Sequence, residues 1–124
     1  MRLLLDTNVI IWSARDSGRI TDRAQKAIAS DDAPLCISVM SAWEYGQKRL
    51  LKPLELPLSF EHLIEGLPHQ KIDFPFECAK FAESLPLIHR DPFDRMLIAQ
   101  AILLDLTIVT SDTDIHKYPV KILW

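Results

Sequence analysis

Short runs of aliphatic residues, too short to be helices, alternate along this chain with longer stretches of helical periodicity. Runs without intervening polar positions are typical of strands buried on both faces, as in a parallel sheet covered by helices. The sequence predicts strands over Leu3–Leu5, Leu35–Ser38 and Thr107–Thr110, a further short strand at Ile72 and an edge strand over Val120–Trp124.

The stretches between these strands have the period and the start signals of helices. Thr21 is suited to cap one helix, and Ser41 with Glu44 has the spacing of a capping box at the start of another. Pro92 suits a first helical turn, which makes Asp91 the N-cap. The predicted helices cover Thr21–Ser30, Ser41–Leu50, Ser59–Gly66, Pro75–Leu85 and Pro92–Leu104. The alternation predicts an α/β fold, a three-layer α/β/α sandwich with a central, mainly parallel sheet.

Length and composition indicate one globular domain over residues 1–124, with 48% apolar and 25% charged residues. No apolar run approaches the roughly 20 residues of a membrane span. Asp6 follows the start too closely for a signal peptide, so we expect a cytoplasmic protein.

Cys36 and Cys78 lack metal-ligand spacing, which favours buried, unpaired thiols over a disulfide or a zinc site.

Acidic residues follow two of the predicted strands. Asp6 comes directly after Leu3–Leu5, and Asp112 follows the strand that ends at Thr110. Ligand sites of doubly wound sheets lie at the carboxyl ends of the strands. The segment at Asp6 alone leaves open whether Asp6 is catalytic or caps a following helix. Asn8 could serve either role as well.

Two further acids, Glu44 and Asp94, lie in the first turns of predicted helices, where a capping box or the helix dipole would explain either one alone. A doubly wound sheet can bring all four acids to one rim. Clustered carboxylates repel one another unless cations bind, and oxygen-only ligands suit Mg²⁺ or Mn²⁺. The net charge of −3 is unusual for a nucleic-acid binder, but without these four acids the remainder carries +1.

Four ordered motifs resemble the PIN-domain nucleases, most closely the VapC-type toxins of bacterial toxin–antitoxin pairs. They are Leu-Leu-Asp-Thr-Asn ending at Asn8, Ser-Ala-Trp-Glu ending at Glu44, Asp-Pro-Phe-Asp ending at Asp94, and Val-Thr-Ser-Asp ending at Asp112. The resemblance implies a PIN-like fold and a catalytic, metal-binding quartet of Asp6, Glu44, Asp94 and Asp112 that holds Mg²⁺ or Mn²⁺. It also implies an endoribonuclease that hydrolyses single-stranded RNA, a homodimer and a neutralising VapB-like antitoxin partner.

Several neighbours of the quartet are candidates for supporting or substrate-binding roles. Arg95 lies beside a carboxylate in the sequence and could hold a phosphate. We assign Asp91 to capping and Asp94 to the metal, while Asp114 is a spare acid without an assigned role. The candidates are Asn8, Asp91, Arg95, Thr110 and Ser111.

Three alternatives compete with this interpretation. A phosphatase of the haloacid dehalogenase type would need an acid where Asn8 stands, and a receiver domain would need a phosphorylatable Asp in the region Leu50–Pro57. The third is a PIN-like module that has lost catalysis and binds RNA or protein.

The helix Pro92–Leu104 is apolar on more faces than a sheet requires, and Trp124 is large and apolar, which favours a homodimer.

Overall fold

A five-stranded parallel sheet forms the centre of the molecule, and the computed structural model describes all residues from Met1 to Trp124. The strands lie in the order β3-β2-β1-β4-β5, and all four pairings are parallel. They are β1 (Leu3–Leu5), β2 (Leu35–Ser38), β3 (Gln70–Ile72), β4 (Thr107–Val109) and β5 (Lys121–Leu123). The predicted strands and the predicted parallel sheet are confirmed, with β4 ending one residue earlier than expected.

Helices cover both faces of this sheet. They are α1 (Thr7–Arg15), α2 (Asp22–Ala29), α3 (Val39–Leu51), α4 (Phe60–Ile64), α5 (Phe76–Ser84) and α6 (Pro92–Leu104), with short 3₁₀ turns at Ser17–Arg19 and Ile115–Lys117. None of these helices has both the length and the apolar character needed to cross a membrane.

The alternation of β1 divides the core into two parts. Leu3 and Leu5 belong to a cluster with apolar residues of α1, α2, α3 and α4. Leu4 points to the opposite face and packs with residues of α5 and α6. Successive strand residues face opposite sides, so a run of three leucines supplies both cores, and the three-layer prediction is confirmed. Cys36 and Cys78 are buried and unpaired, as predicted.

The order of the strands places a crevice at the carboxyl end of β1. From β1 the chain passes to β2 on one side, and it later returns to β4 on the other side. Such a change of direction leaves space above the strand ends for a site. Leu5 is in register with Val109, so Asp6 and Thr110 leave the sheet next to each other.

The start of α3 differs from the prediction. The helix begins at Val39, and the N-cap is Ser38, whose side chain accepts the N–H of Met40 at 3.0 Å. The capping-box prediction for Ser41 and Glu44 is therefore wrong, because the last residue of β2 already caps the helix. The predicted start would have delayed the helix by nearly a turn.

Two observations weaken the argument for a dimer that the sequence suggested from the apolar faces of α6 and from Trp124. Helix α6 packs against α5, α3 and β4, so its apolar residues on several sides are mostly buried within one chain. The ring of Trp124 lies 6.2 Å from that of Trp12, and Arg19 stacks over Trp12 at 4.4 Å. Trp124 is therefore largely committed to an intramolecular contact.

Candidate functional site

The carboxylate of Asp6 lies at the carboxyl end of β1 and is held by the neighbouring strand. Asp6 is only 6% exposed, and Thr110, which follows β4, is fully buried. The Thr110 hydroxyl donates a hydrogen bond of 2.6 Å to Oδ2 of Asp6 and accepts the N–H of Asp112 at 3.1 Å. One hydroxyl thus connects the two acids that follow β1 and β4.

This arrangement bears on the two interpretations of Asp6, a helix cap or a residue of the site. Asp6 occupies the N-cap position of α1, but its side chain makes no capping hydrogen bond. Burial raises the pKa of Asp6, and the charges of Glu44 and Asp112 raise it further, while the hydrogen bond from Thr110 acts in the opposite direction. The backbone N–H of Asn8 acts weakly in the same direction as Thr110, so the main partner of this buried carboxylate is Thr110 and not the helix start.

Glu44 lies in the second turn of α3 and is 5% exposed. Its Oε2 is 3.1 Å from Nζ of Lys48, one helical turn further along. Its Oε1 is buried and has no hydrogen-bond partner. Because an unpaired buried carboxylate oxygen is costly, this atom is suited to bind a positively charged group.

Asp94 projects from the first turn of α6 and is electrostatically linked to the other acids. Burial raises the pKa of Asp94 to about 8, together with the charges of Asp6, Asp91 and Glu44, although His89 opposes the shift. The four predicted acids thus influence one another's ionisation. The charges of Asp6 and Glu44 raise the pKa of Asp94, and the charge of Asp112 raises that of Asp6.

His89 is a further member of the site, one to which no role was assigned from the sequence. Its Nε2 is 2.8 Å from Oδ2 of Asp112 and 2.9 Å from Oδ2 of Asp94. Burial alone would lower the pKa of His89, but the hydrogen bond to Asp112 and the charges of Asp94, Asp112 and Asp91 raise it. Proximity to Asp91 and Asp94 in the sequence was the only signal for this residue.

Asp112 is held by hydrogen bonds on both carboxylate oxygens. Oδ1 accepts the N–H of Asp114 at 2.8 Å, and Oδ2 accepts from His89. Burial acts to raise the pKa of Asp112, but these hydrogen bonds and the charge of His89 lower it overall. Potential metal-binding atoms of His89, Asp112 and Asp114 lie within 4.8 Å of one another, although Asp114 also pairs with Lys117 at 3.0 Å.

The supporting residues divide into those next to the acids and those with structural roles. Oδ1 of Asp91 accepts the N–H of Phe93 at 2.8 Å and that of Asp94 at 3.3 Å, so Asp91 caps α6 as predicted. Asn8 is exposed and Ser111 is half-buried, each two residues or fewer from a site acid.

Arg95 does not have the free guanidinium that phosphate binding would require. Its Nη1 and Nη2 donate to backbone oxygens of α5 and of the loop that follows, and Nη1 also contacts the hydroxyl of Tyr118. The structure contradicts the prediction of a phosphate contact. The guanidinium instead fixes the loop that carries His89, because it supplies donors to carbonyls at a helix end.

The strand order and the acidic rim define the class, a doubly wound α/β/α sandwich with a carboxylate cluster at its topological switch point. The PIN domain family model matches residues 3–121, and the chain belongs to that family. No curated protein matches the sequence at a significant level.

Solved structures share this fold over nearly the whole chain. VapBC2 from Rickettsia felis, bound to a DNA fragment from the promoter, has a TM-score of 0.73 at 17% identity, covering 99% of this chain and 98% of that one. DNA-bound VapBC from Salmonella typhimurium has a TM-score of 0.71 at 20% identity, covering 99% and 97%. The PIN domain endonuclease Utp24 has a TM-score of 0.58 at 13% identity, covering 98% and 83%.

Proposed function

We propose that this PIN domain is a Mg²⁺- or Mn²⁺-dependent endoribonuclease that hydrolyses phosphodiester bonds of single-stranded RNA. The observation that carries the proposal is the cluster of Asp6, Glu44, Asp94 and Asp112 at the carboxyl end of the sheet. Burial and mutual repulsion raise the pKa of Asp94 to about 8, so ionising all four acids together is unfavourable without further positive charge. A divalent cation would supply that charge.

The four acids suit such an ion by chemistry and by burial. All their donor atoms are oxygens, which Mg²⁺ and Mn²⁺ prefer. The unpartnered, buried Oε1 of Glu44 gains a partner when a cation binds. Asp6, Glu44, Asp94 and Asp112 would hold the metal, which would supply activation of a water molecule and stabilisation of the leaving oxygen in phosphodiester cleavage.

Residues around the quartet would orient it and receive the RNA. Thr110 fixes the carboxylate of Asp6 through its hydroxyl. Lys48 is about half exposed beside Glu44 and places a positive charge where a phosphodiester could approach. Asn8 and Ser111 lie at the rim and are candidates for substrate contacts. Arg95 is excluded from this group by its hydrogen bonds to the backbone.

We also propose that the chain is the toxin of a toxin–antitoxin pair, acting in the cytoplasm as a homodimer and neutralised by a VapB-like protein. Two of the structural neighbours are VapBC proteins bound to DNA, and FitAcB from Neisseria gonorrhoeae is a further neighbour. Exposed apolar side chains offer a surface for a protein partner: Leu50 and Leu51 at the end of α3, and Leu54 in the turn that follows.

A cleavage assay tests the proposed activity. Purified protein should cut single-stranded RNA in the presence of Mg²⁺ or Mn²⁺ and stop when EDTA is added. Asp6→Asn should remove the activity, whereas Asp32→Asn, an exposed acid outside the cluster, should retain it. Cleavage that persists in EDTA would contradict a metal-dependent mechanism. Failure of the wild-type protein to bind Mn²⁺ would favour the alternative of an inactive PIN-like binding module.

A further inference from the structure

The imidazole of His89 lies between two acids of the site, at 2.8 Å from Asp112 and 2.9 Å from Asp94. A histidine in such a position could bind the metal itself, or it could donate a hydrogen bond that holds the carboxylates. The two roles require different tautomers, because a metal-binding nitrogen needs a free lone pair and a donor needs its hydrogen.

The other ring nitrogen decides between these roles. Nδ1 of His89 accepts the backbone N–H of Asp91 at 3.1 Å, so Nδ1 carries the lone pair. In the neutral ring the hydrogen is then on Nε2, the nitrogen that faces the carboxylates. His89 is therefore a donor to Oδ2 of Asp112, and it does not offer a lone pair to a metal ion.

The loop around His89 is fixed independently of the acids. The backbone N–H of His89 donates to the hydroxyl of Tyr118 at 2.8 Å, and its carbonyl accepts from Arg95 at 3.3 Å. The Tyr118 hydroxyl in turn donates to the carbonyl of Pro86 at 2.6 Å. The ring is thus held in place by residues from α6 and from the segment before β5.

The two carboxylates differ in how firmly the rest of the fold holds them. The side chain of Asp94 is 14% exposed and that of Asp112 is 32% exposed; Oδ1 of Asp112 is held by the N–H of Asp114, while its Oδ2 faces His89. When Asp94 is ionised, as metal binding requires, repulsion between the two carboxylates favours movement of Oδ2 of Asp112 away from Asp94. A hydrogen bond from a fixed donor opposes it.

We propose that His89 is a positioning residue that uses its Nε2–H to hold Asp112 next to Asp94, and so prepares the acidic site for a divalent cation. The inference rests on the proposed metal-dependent function, but the hydrogen bond and the tautomer are properties of the metal-free protein. Partners that orient metal-binding groups typically change metal affinity by about 10- to 100-fold when they are removed.

Two substitutions distinguish the role of Nδ1 of His89 from that of Nε2. His89→Asn keeps an oxygen near Nδ1 that can accept the N–H of Asp91, but it is too short to reach the carboxylates. His89→Gln is long enough to place an amide N–H near the position of Nε2. His62→Asn changes an exposed histidine on α4 and serves as the control.

Calorimetric titration of Mn²⁺ into metal-free protein measures the effect directly. We expect His89→Asn to weaken Mn²⁺ binding about 10- to 100-fold, and His89→Gln to recover most of the affinity. Equal affinity for wild type and His89→Asn would overturn the proposal. Tighter binding by His89→Asn would also overturn it, because His89 would then compete with the metal.

NMR of isotope-labelled histidine in EDTA, at alkaline pH, provides a second readout that does not depend on metal. The expected result is the Nε2–H tautomer for His89 in wild-type protein. The Nδ1–H tautomer would refute the positioning role even if the protein cleaves RNA. Wild-type protein with the Nε2–H tautomer but without Mn²⁺ binding would instead refute the proposed function and leave the hydrogen bond established.

Discussion

The hydroxyl of Thr110 donates a hydrogen bond of 2.6 Å to Oδ2 of Asp6, across 104 positions of sequence. The contact exists because β1 and β4 are parallel and in register, so their next residues are neighbours. The same hydroxyl accepts the N–H of Asp112. Thr110 therefore connects the sheet to two of the four acids, and its replacement should affect both.

Thr110→Val keeps the shape of the side chain but removes the hydroxyl. We expect about 10- to 100-fold weaker Mn²⁺ binding, because Asp6 loses its donor and the N–H of Asp112 loses its acceptor. Thr110→Ser retains the hydroxyl and should bind Mn²⁺ nearly as well as wild type. Calorimetric titration of the three proteins checks this, and equal affinity for Thr110→Val would show that the fold alone orients Asp6.

The metal-free protein should lose stability as the pH rises. The folded protein holds a proton on Asp94 up to a pKa of about 8, whereas the unfolded chain releases it near the ordinary value of 3.8. Between these values the folded state binds more protons, so the free energy of unfolding falls with increasing pH. The raised pKa values of Asp6 and His89 act in the same direction. Asp112, with a lowered pKa, contributes only in the acid range below its ordinary value.

Thermal melts in EDTA between about pH 5 and pH 8 measure this dependence. Asp94→Asn removes one of the groups with a raised pKa and should reduce the slope, while Asp32→Asn should not change it. Saturating Mn²⁺ should restore stability most at the higher pH, because metal binding requires ionised carboxylates. A melting temperature that rises with pH in EDTA would contradict the charge repulsion inferred for the cluster.

The main elements of the fold and the acidic rim were predictable because their signals are local or follow from simple topology. Runs such as Leu3–Leu5 indicate buried strands, and Pro92 with Asp91 defines the start of α6. Acids that follow parallel strands meet at one edge of a sheet, which placed Asp6 and Asp112 together.

Other features depend on contacts between distant parts of the chain. Ser38 and Ser41 are both suitable caps, and only the path from β2 into α3 selects Ser38. The place of His89 depends on Tyr118, and the role of Arg95 depends on carbonyls of α5 that no local pattern reveals.

A homodimer should form through the outer surface of α5 and α6. Phe76 is 87% exposed, and it lines a surface groove with Phe81 and Leu103. Large apolar side chains grouped in this way are typical of protein interfaces. Light scattering at micromolar concentration should give twice the monomer mass of 14.2 kDa. Phe76→Glu should reduce the mass to that of a monomer, whereas Leu54→Glu, on a separate exposed surface, should not. A wild-type mass of 14.2 kDa would contradict a stable dimer.

The last prediction concerns the two acids at the start of α6, which lie three residues apart but have different partners. Oδ1 of Asp91 accepts the N–H groups of Phe93 and Asp94, and so stabilises the first turn of the helix. Asp94 has no capping role and lies among the site acids. The charge of Asp91 raises the pKa of Asp94, so it weakens the ionised form that a metal needs. Asp91 therefore stabilises the start of α6, while its charge slightly disfavours ionisation of Asp94.

Asp91→Ser should retain the cap and most of the RNA cleavage, with a loss of stability well below about 2 kcal/mol, since Ser and Asp cap almost equally well. The backbone N–H that Asp91 donates to His89 is unchanged by this substitution. Asp94→Asn should retain the fold and lose cleavage by several orders of magnitude, because one of the anions that would hold the metal is gone. Cleavage rates of both variants under saturating Mn²⁺, with melts to confirm folding, test the assignment. If Asp91→Ser is the inactive variant, the two roles are reversed; if both variants are inactive, Asp91 also serves the metal site, directly or through Asp94.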